Sequence, residues 1–203
     1  METNLTIKEK AISFLEVEKS KFYSLAYPFN SERDLDRILS EVKKEYPKAR
    51  HYCYAYVLDK EEKYNDDGEP QGTAGKPILS QIKNANLKFT LVVVVRYFGG
   101  TLLGSGRLLR TYLRGAKDVI ELSNKQEILE MQKIRVQIDI DFYSNFISYL
   151  NRQDFITLNT TFNDKITIDF LTPMEFQEDL SSVFYGKVDV IGKINYLYRK
   201  DLK

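Results

Sequence analysis

His51 and Cys53 are the sole histidine and the sole cysteine of a 203-residue chain. Two positions apart on an extended segment, they would project from one face, and a thiol beside an imidazole can form a nucleophile. The same tyrosine-rich run, His51 to Leu58, equally suits a strand whose inward residues serve as packing. Asp66, Asp67 and Glu69 bring three carboxylates together in Asn65-Asp66-Asp67-Gly68-Glu69-Pro70, and carboxylate oxygens are the ligands of hard divalent cations. Their other reading is a turn whose side chains satisfy backbone N–H groups. Thr73 and Ser105 offer hydroxyls without a base nearby in sequence, which suits capping or loop closure. No complete catalytic constellation emerges, so neither a catalytic residue nor a cofactor is assigned, and the balance lies with a non-enzyme.

Anion chemistry has a stronger basis. Six of the ten glycines fall between Gly72 and Gly106, a density that suits a backbone taking positive φ or approaching another group closely. Gly99-Gly100-Thr101-Leu102-Leu103-Gly104-Ser105-Gly106 leads into a helical pattern, and a helix N-terminus offers free N–H groups and a favourable dipole to an anion. Arg107, Arg110, Arg114 and Lys117 follow at spacings that place them on one helix face. No Asp or Glu lies between Glu69 and Asp118, while eight basic residues do. The candidate anion, RNA or partner-binding set is therefore Lys76, Arg96, Gly99, Gly100, Gly104, Gly106, Arg107, Arg110 and Arg114. The spacing is that of neither a Walker loop nor a dinucleotide fingerprint. A solvated helix face is the other reading of the arginine row.

The elements that must position these residues can be read from periodicity. Ala11 to Glu18 and Phe22 to Tyr27 read as two strands around a polar turn. Ser31 reads as an N-cap before Leu35, Ile38, Leu39, Val42 and Tyr46, and Pro47 ends that helix. His51 to Leu58 reads as a strand and Asp59 to Gly75 as a polar loop. Pro77 opens a helix with Ile78, Leu79, Ile82 and Leu87. Phe89 to Val95 suits a strand covered on both faces. From Ser105 the apolar face is predicted as Leu109, Tyr112, Leu113, Ala116, Val119 and Ile120. Beyond Ser123-Asn124-Lys125-Gln126 come a strand over Ile134 to Phe142, a short helix with Phe146, Ile147 and Leu150, and a hairpin about Asn163-Asp164. A helix from Pro173 carrying Phe176, Leu180, Val183 and Phe184 follows, then a final strand from Val188. This β-α-β-β-α-β order is that of a ferredoxin-like domain. The class is α+β, with domains predicted over 1–125 and 126–203.

The +1 net charge conceals an asymmetry: Met1 to Lys125 holds 21 Lys and Arg against 17 Asp and Glu, the remainder 9 against 12. The acidic second domain is a poor independent nucleic-acid binder. A lone cysteine, no basic-then-apolar leader and no run long enough to span a bilayer lead to the expectation of a cytoplasmic protein without a membrane partner.

Asp66-Asp67-Gly68-Glu69-Pro70-x-Gly72-Thr73-Ala74-Gly75-x-Pro77-Ile78-Leu79, then Val93-Val94-Val95-Arg96-Tyr97-Phe98-Gly99-Gly100, then Leu103-Gly104-x-Gly106 with Arg110 and Tyr112, resembles the IMPACT family, in its bacterial YigZ-type branch. The likeness covers about the first 120 residues, and Lys19-Ser20-Lys21-Phe22 and Ala49-Arg50-His51 are similar to earlier landmarks of the family. Gln71 stands where Ser is usual, Leu102 where Lys is usual, and Arg107 replaces a second glycine. The resemblance implies an N-terminal α/β domain like the second domain of ribosomal protein S-five, followed by a domain like the last domain of translocation factor G. Eukaryotic members are regulators of translation that compete for an activator of a starvation-sensing kinase, so the resemblance implies binding rather than catalysis. For the bacterial branch it implies RNA, a ribosomal surface or a nucleotide. The alternatives are a protein-binding regulator without nucleic-acid contact and a hydrolase of a phosphorylated or peptide substrate.

Overall fold

A computed structural model describes residues 4–201. Its elements are β1 (Asn4–Ile7), β2 (Ala11–Val17), β3 (Ser20–Pro28), α1 (Leu35–Glu45), β4 (His51–Val57), β5 (Glu62–Asn65), α2 (Gly75–Asn84), β6 (Thr90–Tyr97), α3 (Ser105–Leu122), β7 (Lys125–Ile138), α4 (Tyr143–Arg152), β8 (Ile156–Phe162), β9 (Ile166–Pro173), α5 (Leu180–Val183) and β10 (Val188–Asp201). Two compact units result, one holding the described residues through Ile128 with Lys200 and Asp201, the other Leu129–Arg199. The fold is α+β.

The first unit is built on an antiparallel sheet in the order β2-β3-β6-β4-β5. Its centre is β6, whose Leu91 to Val95 are all fully buried. Alternation along the strand explains this. Val92 and Val94 join the core beneath α2 and α3, while Leu91, Val93 and Val95 join a second core with Leu35, Ile38 and Val42 of α1. Burying each such side chain stabilises the fold by roughly 1.5–3 kcal/mol. Helix α3 packs on this sheet through Leu108, Thr111, Tyr112, Gly115, Ala116 and Val119. Leu109, placed on the apolar face by its spacing, is instead 38 % exposed. The helix begins at Ser105 with a phase that turns Leu108 inward.

Three further expectations are corrected. The polar stretch after Leu58 contains a strand, β5, which pairs with β4 from Tyr54↔Asn65 to Val57↔Glu62. Its side chains are exposed, so an edge position left no alternating apolar signal. Ser31 caps a single 3-10 turn, Glu32–Asp34, by accepting from Arg33 N at 3.2 Å, and α1 starts after it. The strand expected from Ile134 begins at Lys125, and its last predicted residues, Ile140–Phe142, form a 3-10 turn.

The second unit carries the order β-α-β-β-α-β, with β7 between β10 and β9 and β8 beyond β9. Phe146, Tyr149 and Leu150 of α4 and Leu180 of α5 pack on Ile134, Val136, Ile168 and Phe170. The helix expected from Pro173 is only the single turn Leu180–Val183, capped by Asp179 accepting from Ser181 N at 3.1 Å. Phe176 still reaches the core without helical backbone. Arg135 and Asp169 face each other in register and form a two-point ion pair at 2.6 and 2.7 Å. Lys133 adds a third bond to the same carboxylate at 2.9 Å. Among the described residues no helix is long and apolar enough to cross a membrane.

Candidate binding cleft at the start of helix α3

The acidic turn between β5 and α2 works mainly as a cap. Asp66 Oδ1 accepts from Ala74 N at 3.0 Å and Gly75 N at 2.8 Å, and Oδ2 accepts from Gly72 N at 2.8 Å. Ala74 N and Gly75 N are free N–H groups that open α2, which lacks a capping side chain at Ala74, and Gly72 N belongs to the turn before it. Asp67 Oδ2 accepts from Tyr52 N at 2.6 Å, fastening the turn to β4. The carboxylates of Asp66, Asp67 and Glu69 therefore do not converge on a cation, and no cluster of three His, Cys, Asp or Glu suited to a metal exists among the described residues.

Glu69 points the other way, inward. Its side chain is 4 % exposed, and Oε1 receives both Arg96 Nη1 and Tyr112 Oη, each at 2.7 Å. Arg96 is itself only 7 % exposed along its side chain, stacks over Phe22 and Phe98, and keeps Nε without a hydrogen-bond partner. A buried carboxylate left without such partners is strongly destabilising. Burial pushes the Tyr112 hydroxyl well above its ordinary range, so it stays a donor.

His51 Nδ1 lies 2.7 Å from Asp67 O. A carbonyl only accepts, so Nδ1 carries a proton, and in the neutral tautomer this arrangement selects, Nε2 holds a lone pair. That Nε2 stands 3.8 Å from Glu69 Oε2. Cys53 is fully buried, donates to Asp66 O at 3.0 Å, and lies 3.4 Å from Tyr112 Oη. Burial, reinforced by nearby carboxylates, pushes its thiol far up. The thiolate is the nucleophilic form, so the Cys-His reading loses its nucleophile.

His51, Glu69 and Arg96 floor a cleft of about 300 Å³, rimmed by Arg50, Pro70, Phe98, Leu102 and Leu103 and by Gly104 and Ser105 of the α3 N-terminus. Gly104, at φ +73°, supplies no capping side chain, and the first turn of α3 has no acidic residue. Phe98 lies under two guanidinium groups, Arg50 at 5.3 Å and Arg96 at 5.8 Å.

Of the residues singled out by sequence, His51, Glu69, Arg96, Gly104 and Ser105 line this cleft, and Arg50 and Phe98 join them. Lys76 is exposed in the first turn of α2. Gly99 has a packing role: a side chain there would overlap the Lys19–Ser20 backbone, and its N–H donates to Ser20 Oγ at 3.1 Å. Gly100 has φ +88°, and Gly106 lies within the first turn of α3. Arg107, Arg110 and Arg114 are exposed on one face, yet the row is not free of acids. Arg107 pairs with Glu18 at 2.7 Å, Arg114 with Asp118 and Lys117 with Glu121, both at 3.6 Å. Arg110 is exposed between them and has no part in these pairs. Exposed pairs of this kind are worth little, so the arginines stay available to a stronger anion. Arg50 and Phe98 carried no periodic signal and gain meaning only through their meeting.

The model of the Impact N-terminal domain matches residues 18–120. The chain is 33 % identical over 205 residues to the IMPACT family member YvyE of Bacillus subtilis (strain 168), covering 95 % of this chain and 92 % of that protein. It is 27 % identical to the IMPACT family member YigZ of Escherichia coli (strain K12), over 87 % and 91 % of the two chains. Protein IMPACT homolog of Dictyostelium discoideum is 36 % identical over 119 residues, 55 % of this chain and 33 % of that one. A crystal structure of a hypothetical protein superposes with a TM-score of 0.67 at 27 % identity, covering 94 % of this chain and 97 % of its own. By the domain match and the near full-length likeness to the Bacillus protein, this chain belongs to the IMPACT family.

Proposed function

We propose that the chain is a non-enzymatic, translation-associated binding protein of the cytoplasm that contacts RNA or a ribosomal surface through the start and outer face of α3. The observation that carries this reading is the uncapped N-terminus of an 18-residue helix opening beside Arg50 and Arg96, with no acidic residue in its first turn. Arg107, Arg110 and Arg114 extend the positive surface along the helix. In this reading the first unit acts as an α/β domain like the second domain of ribosomal protein S-five. The second unit, through its β-α-β-β-α-β order, acts as an accessory domain like the last domain of translocation factor G. Fold kinship of that kind supports a class of partner and no more.

Fluorescence anisotropy of a labelled mixed-sequence RNA tests it, at low and near-physiological salt. Neutralising Arg107, Arg110 and Arg114 together to Gln is expected to weaken binding and to make the salt slope shallower by roughly 2, at about 0.7 per phosphate contact on a single strand. Equal, weak binding by both proteins at low salt alone would overturn the RNA reading. A protein partner is the second reading, favoured by Leu102, which is 86 % exposed at the cleft rim. It predicts a stoichiometric complex that survives nuclease treatment and is lost on Leu102→Ser.

A further inference from the structure

Inside the cleft two acceptors stand side by side with no donor of their own. Tyr112 and Arg96 hold Glu69 Oε1, which leaves Oε2 to the cleft. The Asp67 carbonyl holds His51 Nδ1, which leaves the Nε2 lone pair to the same space. The two free acceptors are 3.8 Å apart. Neither can bond the other while the imidazole is neutral, so together they call for two adjacent donors. A pair of hydroxyls on neighbouring carbons satisfies both, each O–H donating to one acceptor at about 2.8 Å.

The same cleft offers complementary chemistry on its other walls. Gly104 and Ser105 present the uncapped start of α3, where free N–H groups and the dipole favour a phosphate. Arg96, nine-tenths buried, lines the cleft with Nε unpartnered. Phe98 gives a planar surface already flanked by the Arg50 guanidinium. Bases stack on such surfaces whatever their identity. A volume of about 300 Å³ is at the lower end of small-ligand sites.

We propose that this cleft is a ribonucleotide site. The 2′,3′-cis-diol of the ribose donates to Glu69 Oε2 and His51 Nε2, the phosphate lies at the start of α3, and the base rests on Phe98. This deepens the RNA reading and rests on it for one of two sources: a free cis-diol is carried by a mononucleotide and by the 3′ end of an RNA strand.

Because His51 is the only histidine, its ring Cε1–H resonance is a single reporter of the cleft. The first arm follows that signal during titration with the four nucleoside 5′-monophosphates and with their 2′-deoxy counterparts. The second arm compares a 5′-labelled RNA decamer with an intact 3′ end against the same strand after periodate cleavage of its terminal diol. The ribonucleotides are expected to move the signal and the deoxy series to bind about tenfold more weakly, the factor for one lost charge-assisted hydrogen bond. A matching loss on periodate treatment assigns the site to strand ends. A signal moved by ribonucleotides without any RNA binding keeps the inference, assigns the free nucleotide, and sinks the RNA reading. If RNA binds equally with either 3′ end and no mononucleotide moves the signal, the inference fails while the RNA reading stands. Equal response to ribo and deoxy forms also overturns it. Glu69→Gln should abolish the ribo preference. Ser105→Asp, an exposed change that places a negative charge at the helix start, should abolish nucleotide binding without disturbing the buried network.

Discussion

Tyr112 donates its hydroxyl to Glu69 Oε1 at 2.7 Å across 43 positions of sequence, which ties the middle of α3 to the acidic turn. Arg96 reaches the same oxygen from β6. One carboxylate thus joins a helix, a strand and a loop. Tyr112→Phe removes one hydrogen bond and leaves the ion pair, at an expected cost of about 1–2 kcal/mol. Arg96→Met leaves Glu69 buried without a cation, at roughly 3–5 kcal/mol. Urea midpoints of the two variants measure this, and the opposite ranking would contradict the ion pair as the chief partner.

Asp66 takes three backbone donors, two at the start of α2 and one in the turn before it. Asp66→Ala is expected to cost about 2 kcal/mol, the upper end for a lost helix cap. Hydrogen exchange should locate the effect at the amides of Gly72, Ala74 and Gly75. Unchanged protection there would mean that the turn holds without the carboxylate.

Two glycines in the same motif should respond oppositely to alanine. At Gly99 the new methyl would overlap the backbone of Lys19 and Ser20, so a loss of about 1–3 kcal/mol is expected. At Gly106 the nearest atom is the tip of Arg110, 3.7 Å away. Alanine there should leave stability unchanged or raise it by about 0.5–1 kcal/mol. Thermal melts of the two variants decide it.

Asp169 in the second unit titrates near about 2, lowered first by its hydrogen bonds to Arg135 and next by those to Lys133. In the unfolded chain an aspartate titrates near ~3.9. The folded value is the lower, so its stabilisation is complete above about pH 4 and fades as pH falls toward 2. Denaturation midpoints of the natural protein and Asp169→Asn should therefore differ most near neutrality, draw together below about pH 4 and converge only as pH falls through about 2. A gap that stays constant with pH would show that the carboxylate charge plays no part.

The Cys53 thiol is buried and held protonated. A thiol reagent at pH 8 is expected to react only in denaturant, with one equivalent released on unfolding. Rapid reaction of the folded protein would restore the nucleophile reading.

Some of this was legible in the residues themselves. The unbroken Leu91 to Val95 block announces a strand with two covered faces, because β-branched residues on both sides of a strand need two cores. Gly104 followed by a 3.6-residue period announces the start of α3, and the long glycine-rich motif carries the family. The turn reading of Asp66 also follows from its residue type, since short acidic side chains near Gly and Pro bond local N–H groups. Edge strand β5 and the single turn of α5 were not legible, because exposed or irregular backbone imposes no apolar period.

The cleft belongs to tertiary structure alone. Glu69 is 27 positions from Arg96 and 43 from Tyr112. Glu18 meets Arg107 across 89, overturning the impression of an acid-free stripe. Local periodicity reports which way a side chain turns relative to its own element. It carries no information on which distant element lies opposite, and that pairing decides whether a carboxylate binds metal, caps a helix or waits for a ligand.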